Sequence, residues 1–141
     1  MVPPRLLAMP VAIDTSVLIS AERQGEFDKL LPEHEDGPYY IPAHAASEYL
    51  VGTHPPVRMD LRQRAIQLYQ VRFRSLVVSF TETDAAQLSL LIVELKSKRQ
   101  QMKFFDAAIA ATVMARGDKL LVLDADFDRL KDRIQLLRPS S

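Results

Sequence analysis

Asp14, Glu48, Asp106 and Asp124 fall where strand-like runs end or helical runs begin. Asp14 follows the apolar run Val11-Ala12-Ile13 and precedes Thr15-Ser16, residue types that start helices. Asp124 closes the apolar run over 119–123, while Asp106 lies in the first turn of a helix expected over 105–115. Glu48 sits in the helical segment that follows Tyr39-Tyr40-Ile41. Open parallel sheets bind ligands at the carboxyl ends of their strands, and the first and fourth strands are commonly neighbours. Asp14 and Asp124 would then share one rim, within reach of Glu48 and Asp106. Carboxylates gathered in one pocket repel one another unless a cation joins them. Hard oxygen donors without cysteine or histidine suit Mg²⁺ or Mn²⁺. Such ions activate water and stabilise in-line displacement at phosphorus, the chemistry of many nucleases. Each acid alone also fits a structural role. Asp14 and Asp124 could cap helices, Asp106 could answer a helix dipole, and Glu48 could be a plain exposed helix residue.

The elements that must position these acids alternate along the chain. After the first strand, helical spacing continues over 17–23, Gly25 interrupts, and a second short helix is expected over 26–31 before Pro32. A strand over 39–41 leads through Pro42 into a helix over 43–51, ended at Gly52. Beyond His54-Pro55-Pro56 the pattern predicts one long helix over 59–74, then a β-rich run over 76–80. Thr81-Glu82-Thr83-Asp84 is a capping-box pattern for a helix through about residue 98. Gly117 ends the Ala-rich helix, and a strand, a short helix over 126–131 and an edge strand over 134–137 close the chain. Apolar strands without polar alternation, interleaved with helices, predict a three-layer α/β sandwich around a mainly parallel sheet.

Composition sets the outer limits. The 141 residues are 48% hydrophobic and 26% charged, and no cysteine is present, which excludes disulfide frameworks and thiolate chemistry. The formal net charge is zero, so contact with nucleic acid must come from a local patch. The start has two early prolines and no sustained apolar run, and a soluble cytoplasmic domain is expected. Met1 to Ala8 reads as a peripheral extension, or translation starts at Met9, with one domain over 9–141.

Four segments, AIDTSVLIS, ASEYLVG, FFDAAIAATVMARG and LLVLDADF, resemble the PIN-domain family, in particular the VapC-type ribonuclease toxins of prokaryotic toxin–antitoxin pairs. The likeness covers nearly the whole chain after Met9. The third segment, an acid opening an Ala-rich helix that ends in Gly, is the most distinctive. The resemblance implies a sheet flanked by helices and a Mg²⁺- or Mn²⁺-dependent endoribonuclease. It implies RNA as substrate, a cognate antitoxin as partner and a homodimer. By position it implies Asp14, Glu48, Asp106 and Asp124 as metal-binding, catalytic acids, with Ser16 supporting the site by hydrogen bonding. Two positions depart from the pattern, since Ala45 and Val122 stand where related sequences often carry Thr. Loss of those hydroxyls weakens the support behind a metal site. In Asp124-Ala125-Asp126, strand-end geometry favours Asp124, and Asp126 reads as the cap of the following short helix.

Other residues admit chemical readings beside structural ones. His44 and Glu48 share a helix face, but no third soft ligand accompanies them, so a surface pair is favoured over a zinc site. His34 and His54 fall in expected loops. Arg58, Arg62, Arg64, Arg72 and Arg74, and the later group Lys96, Lys98, Arg99 and Lys103, could meet RNA phosphates or form solvated faces. Lys103, beside Asp106, is the strongest phosphate candidate among them. Phe104 and Phe105 could stack bases, although core packing is favoured. Val17, Leu18, Phe27, Leu30 and Leu31 could line a groove for an amphipathic antitoxin segment or simply pack on the sheet. Two other functions compete: a binding module of the same fold without effective catalysis, and a phosphoryl-transfer protein on a doubly wound sheet. The latter fits badly, because Ser16 stands where a phosphatase would want a second Asp, and Thr81 where a receiver would want its acceptor.

Overall fold

A computed structural model describes residues 9–32, 35 and 37–139. The expected extension over 1–8 and the loop position of His34 lie outside the described residues. Five strands, β1 (Val11–Ile13), β2 (Tyr39–Pro42), β3 (Val77–Val78), β4 (Lys119–Leu121) and β5 (Gln135–Leu137), form one parallel sheet in the order β3-β2-β1-β4-β5. Ala12 pairs with Tyr40 on one side and Leu120 on the other, which puts β1 at the centre. Every residue of β1 is fully buried, as a parallel strand must be when helices cover both faces. The expected adjacency of the first and fourth strands is present.

The helices are α1 (Thr15–Gln24), α2 (Phe27–Leu30), α3 (Ala43–Val51), α4 (Met59–Leu68), α5 (Glu82–Ser97) and α6 (Phe104–Arg116). In α6 every residue from Ala107 to Val113 is buried, and the helix packs against both α5 and α3. Its run of alanines follows from that position, since small side chains let neighbouring backbones approach from several directions. Gly117 ends α6 in the left-handed conformation (φ 68°), where a Cβ would be strained. At the start of α5 the Thr81 hydroxyl accepts from the Asp84 amide, and the Asp84 carboxylate accepts from the Thr81 amide. This is the expected capping box.

Several boundaries differ from the expected ones. The long helix over 59–74 is α-helical only through Leu68. It then widens into a π-helical segment, Tyr69–Phe73, and tightens into a 3-10 turn, Arg74–Leu76. Packing accounts for the change. Phe73 is completely buried, with its ring edge-on to Phe27 at 5.2 Å and to Tyr49 at 5.3 Å. A wider turn re-aims a side chain that a straight α-helix would have carried elsewhere. The arginines of this stretch mostly make exposed ion pairs, Arg58 with Asp60, Arg64 with Glu22 and Arg72 with Asp28. That matches a solvated face. The partner groove expected along α1 and α2 is not open there, because Val17, Leu18, Phe27 and Leu30 are buried in the core and Leu31 packs against it. An open hollow instead lies between α1, α3 and α4, lined by Ile19, Tyr49, Val57 and Leu61.

The π segment makes a direct test of this packing. Phe73→Ala should cost about 3–5 kcal/mol in urea unfolding, through lost contacts and a residual cavity. Val71→Ala, two residues away but 69% exposed, should stay within about 0.5 kcal/mol of the parent.

Candidate active site

The end of β1 delivers Asp14 to the rim of the sheet, where it is the N-cap of α1 and 2% exposed. Its Oδ2 accepts from the Ser16 amide at 3.1 Å and from the Ser16 hydroxyl at 2.6 Å. Ser16 Oγ in turn accepts from the amide of Leu123 at 3.1 Å, just beyond β4. One hydroxyl therefore joins the carboxylate after the central strand to the loop that carries Asp124. The other oxygen, Asp14 Oδ1, is buried and has no hydrogen-bond partner. The structural reading of Asp14 holds, because one oxygen caps the helix, and the chemical reading stays open to the other oxygen.

Asp106 occupies the first turn of α6 and is buried. Burial first, and then the charges of Asp14, Glu48, Asp126 and Asp124, push its carboxyl up to about 7. Burial likewise raises Asp14 to about 6, against the lowering effect of its Ser16 bonds and with Asp124 adding repulsion. The four expected acids thus meet in one electrostatic neighbourhood. Among the described residues no three His, Asp or Glu side chains form a ready-made metal cage. The donor set nonetheless fits a hard divalent cation: oxygen donors, one of them buried and unpartnered, and net repulsion that a cation would relieve.

Asp126 belongs with this group. The short helix after β4 is a 3-10 turn, Asp128–Leu130, capped by Phe127, so Asp126 does not cap it. The Asp126 amide donates to Asp124 Oδ1 at 3.1 Å, and that turn leaves both side chains exposed near the rim. Asp126 lines a cleft of about 320 Å³ together with Asp106, Gln101, Met102, Lys103 and Arg129. Sequence reasoning set Asp126 aside and passed over Arg129. An Asp-x-Asp pair at a strand end, followed by Arg three residues later, is the signal that could have found them. Arg138 steadies the same loop, donating to the carbonyls of Val122 and Asp124 and pairing with Asp128.

The remaining candidates separate cleanly. Lys103 stands at the N-cap position of α6 and on the cleft wall, as expected of a phosphate contact. Glu48 is half-buried on α3 and also borders the hollow between α1, α3 and α4. His44 is not an exposed surface partner of Glu48. Its ring lies edge-on to Phe80 at 4.6 Å and to Phe104 at 5.7 Å, with Nδ1 buried. Phe105 is half-buried, but Phe104 is exposed, contrary to core packing. Ala45 and Val122 are both fully buried and supply no hydroxyl, and the nearby Thr15 hydroxyl reaches the Ala45 carbonyl only at 3.5 Å.

The sequence profile of the PIN domain matches residues 11–133. No functionally curated protein matches the chain by sequence. Among solved structures, VapBC2 from Rickettsia felis, bound to a promoter DNA fragment, superposes with a TM-score of 0.77 at 17% identity, covering 94% of this chain and 100% of that one. VapBC-5 from Mycobacterium tuberculosis gives 0.72 at 18% identity, covering 92% and 97%. VapC20 from Mycobacterium tuberculosis, a toxin that cleaves the sarcin-ricin loop, gives 0.62 at 18% identity, covering 84% and 93%.

The raised carboxyls set the sign of a pH effect. In chelator, folded Asp14 and Asp106 bind protons up to about pH 6 and 7, whereas unfolded aspartates release theirs near 3.8. Between those values the folded state holds more protons, so stability falls as pH rises from about 4 to about 7. Thermal melting should show this decline, and Asp106→Asn should flatten it and melt above the parent at pH 7.5. A pH dependence of melting that is the same in the parent and in Asp106→Asn would contradict the clustering of the acids.

Proposed function

The chain belongs to the PIN domain family, and from that premise we propose that it is a metal-dependent endoribonuclease of the VapC type, the toxin of a toxin–antitoxin pair. The observation that carries this reading is the meeting of Asp14, Glu48, Asp124 and Asp126 around the buried Asp106, beside an unpartnered Asp14 oxygen. Asp14, Glu48, Asp106 and Asp124 would hold Mg²⁺ or Mn²⁺, with Asp126 beside them. When bound, the cation supplies an activated water and stabilises charge developing at the scissile phosphorus.

The chain's own residues do the positioning. Ser16 fixes one Asp14 oxygen and leaves the other without a hydrogen-bond partner, and through Leu123 it ties the Asp124 loop to the end of β1. Asp106, whose carboxyl burial and neighbouring acids raise to about 7, would be favoured in its ionised form with a cation beside it. A polyanion approaching five carboxylates needs compensation, and Lys103 and Arg129 on the cleft wall supply it. Arg129 is anchored on the Gln101 carbonyl, which presents its guanidinium from a fixed base. In this reading the antitoxin covers the hollow bordered by Ile19, Tyr49, Val57 and Leu61, with Glu48 at its edge. Leu90 and Val93, exposed one helical turn apart on α5, are available to a second copy in a homodimer.

RNA cleavage with and without added Mg²⁺ tests the proposal. The parent should cut unstructured RNA only with the divalent ion, and EDTA should abolish cutting. Asp106→Asn should lose activity while remaining folded, and Mg²⁺ should raise the melting temperature of the parent more than that of the variant. Asp126→Asn should lose at least about 10-fold in kcat/KM, and Arg129→Gln should act mainly on KM by about 10-fold, the size of a charge-assisted hydrogen bond. An Asp106→Asn protein cutting at the parental rate would overturn the assignment. A folded parent that binds RNA but never cuts it would leave the non-catalytic binding module instead.

A further inference from the structure

Phe104, the first residue of α6 and two before Asp106, is 58% exposed. Its ring is held in place all the same, edge-on to His44 at 5.7 Å and to Phe105 at 6.1 Å. His44 is itself wedged against Phe80, so an aromatic cluster behind Phe104 sets its orientation. The ring forms part of the wall of a hollow of about 350 Å³, whose apolar lining includes Ile92, Leu95 and Ala107. Cavities of this size fall in the range of small-ligand sites, roughly 300–1,000 Å³.

Gln101 and Met102 line both this hollow and the acidic cleft, so the two compartments share a wall. Lys96 borders the hollow, and Lys103 and Arg129 border the cleft. None of these three cations is ion-paired among the described residues. An apolar protein segment seated here would bring nothing for those charges. A nucleotide brings both parts, a flat apolar ring and a phosphate.

We propose that the hollow beside Phe104 is a nucleobase subsite, filled by an unpaired base next to the phosphate held in the acidic cleft. The proposal rests on the ribonuclease reading and assigns Phe104 and the hollow beside it to one base of the strand. A base in a duplex is stacked and paired, and it cannot leave the helix without losing both interactions. Packing against Phe104 is tolerant of sequence, because every base has a π-face. Gln100, on the hollow's wall, adds hydrogen-bonding capacity for a base edge.

The test uses the non-cleaving Asp106→Asn chain with Mg²⁺ and a fluorescently labelled unpaired RNA, intact or with one abasic nucleotide, the lesion scanned along the strand. Phe104→Ala should weaken binding of intact RNA about 10-fold or more, the size of one base–aromatic stack. Phe104→Tyr should stay within about threefold. At one position the abasic RNA should bind as weakly as intact RNA binds the Phe104→Ala chain, and combining the two changes should add no further loss. Unchanged melting temperatures establish that these effects are local. Equal binding of intact and abasic RNA at every position overturns the proposal, as does unchanged RNA affinity in Phe104→Ala. Loss of antitoxin binding or self-association in that variant, with RNA affinity intact, assigns the face to a protein and overturns it too. The ribonuclease reading fails separately, if the chain with Asp106 intact cuts no RNA.

Discussion

Everything at the rim of this sheet depends on holding several carboxylates close together. Burial and mutual repulsion both disfavour ionisation of Asp106, and burial does the same at Asp14. Only local hydrogen bonding acts in the opposite direction. The Ser16 hydroxyl and amide hold Asp14 Oδ2, and the same hydroxyl receives the Leu123 amide. A parallel sheet makes this arrangement possible, because β1 and β4 end on the same edge in register, Ile13 opposite Leu121. The bond between Ser16 and Leu123 then extends the β1–β4 pairing one step past the strands and into the site.

The same constraint accounts for rigidity elsewhere. Repulsive groups stay together only if the elements that carry them cannot move apart. Asp106 rides on α6, whose middle is buried on every side. The loop beyond β4 is tied down twice, by Leu123 to Ser16 and by Arg138 to the Val122 and Asp124 carbonyls. Glu48 stands on α3, which packs against both α1 and α6. A strained site is thus carried by the most firmly packed parts of the fold, the general expectation for pre-organised chemistry.

Much of this was legible from residues alone where one local rule acted without competition. Apolar strands predicted a sheet covered on both faces, and Thr81 with Asp84 predicted the start of α5. Acids at strand ends predicted one shared rim. Legibility failed where tertiary packing decided the outcome. The break at Tyr69 follows from where Phe73 must point, which depends on Phe27 and Tyr49 far away in sequence. The apolar residues of α1 and α2 could have faced a partner or the core, and hydrophobic spacing is the same in either case. Asp126 was misread because a capping position and a cleft position carry the same residue type. Phe104 and Phe105 are identical neighbours in sequence, and only the direction in which α6 begins separates the half-buried ring from the exposed one.

The two sides of the cleft carry opposite charges, as the proposed polyanionic substrate would require. On the sheet side the acids are pre-arranged, and relief of their mutual repulsion would favour a bound cation. On the α6 side, cations and an apolar wall face outward, where a nucleotide can reach them. On the proposed reading neither side would suffice alone: carboxylates without Lys103 and Arg129 would repel a polyanion, and those cations without the acids would bind it to no effect. The N-terminus of α6 is the one place where both requirements meet. Within four consecutive residues it places Lys103 on the cleft wall, Phe104 on the wall of the neighbouring hollow, Phe105 in the aromatic cluster and Asp106 among the acids. A helix start can divide its side chains this way because successive residues point about 100° apart. On the proposed reading, that geometry would make the first turn of α6, more than any strand end, the element that couples chemistry to substrate choice.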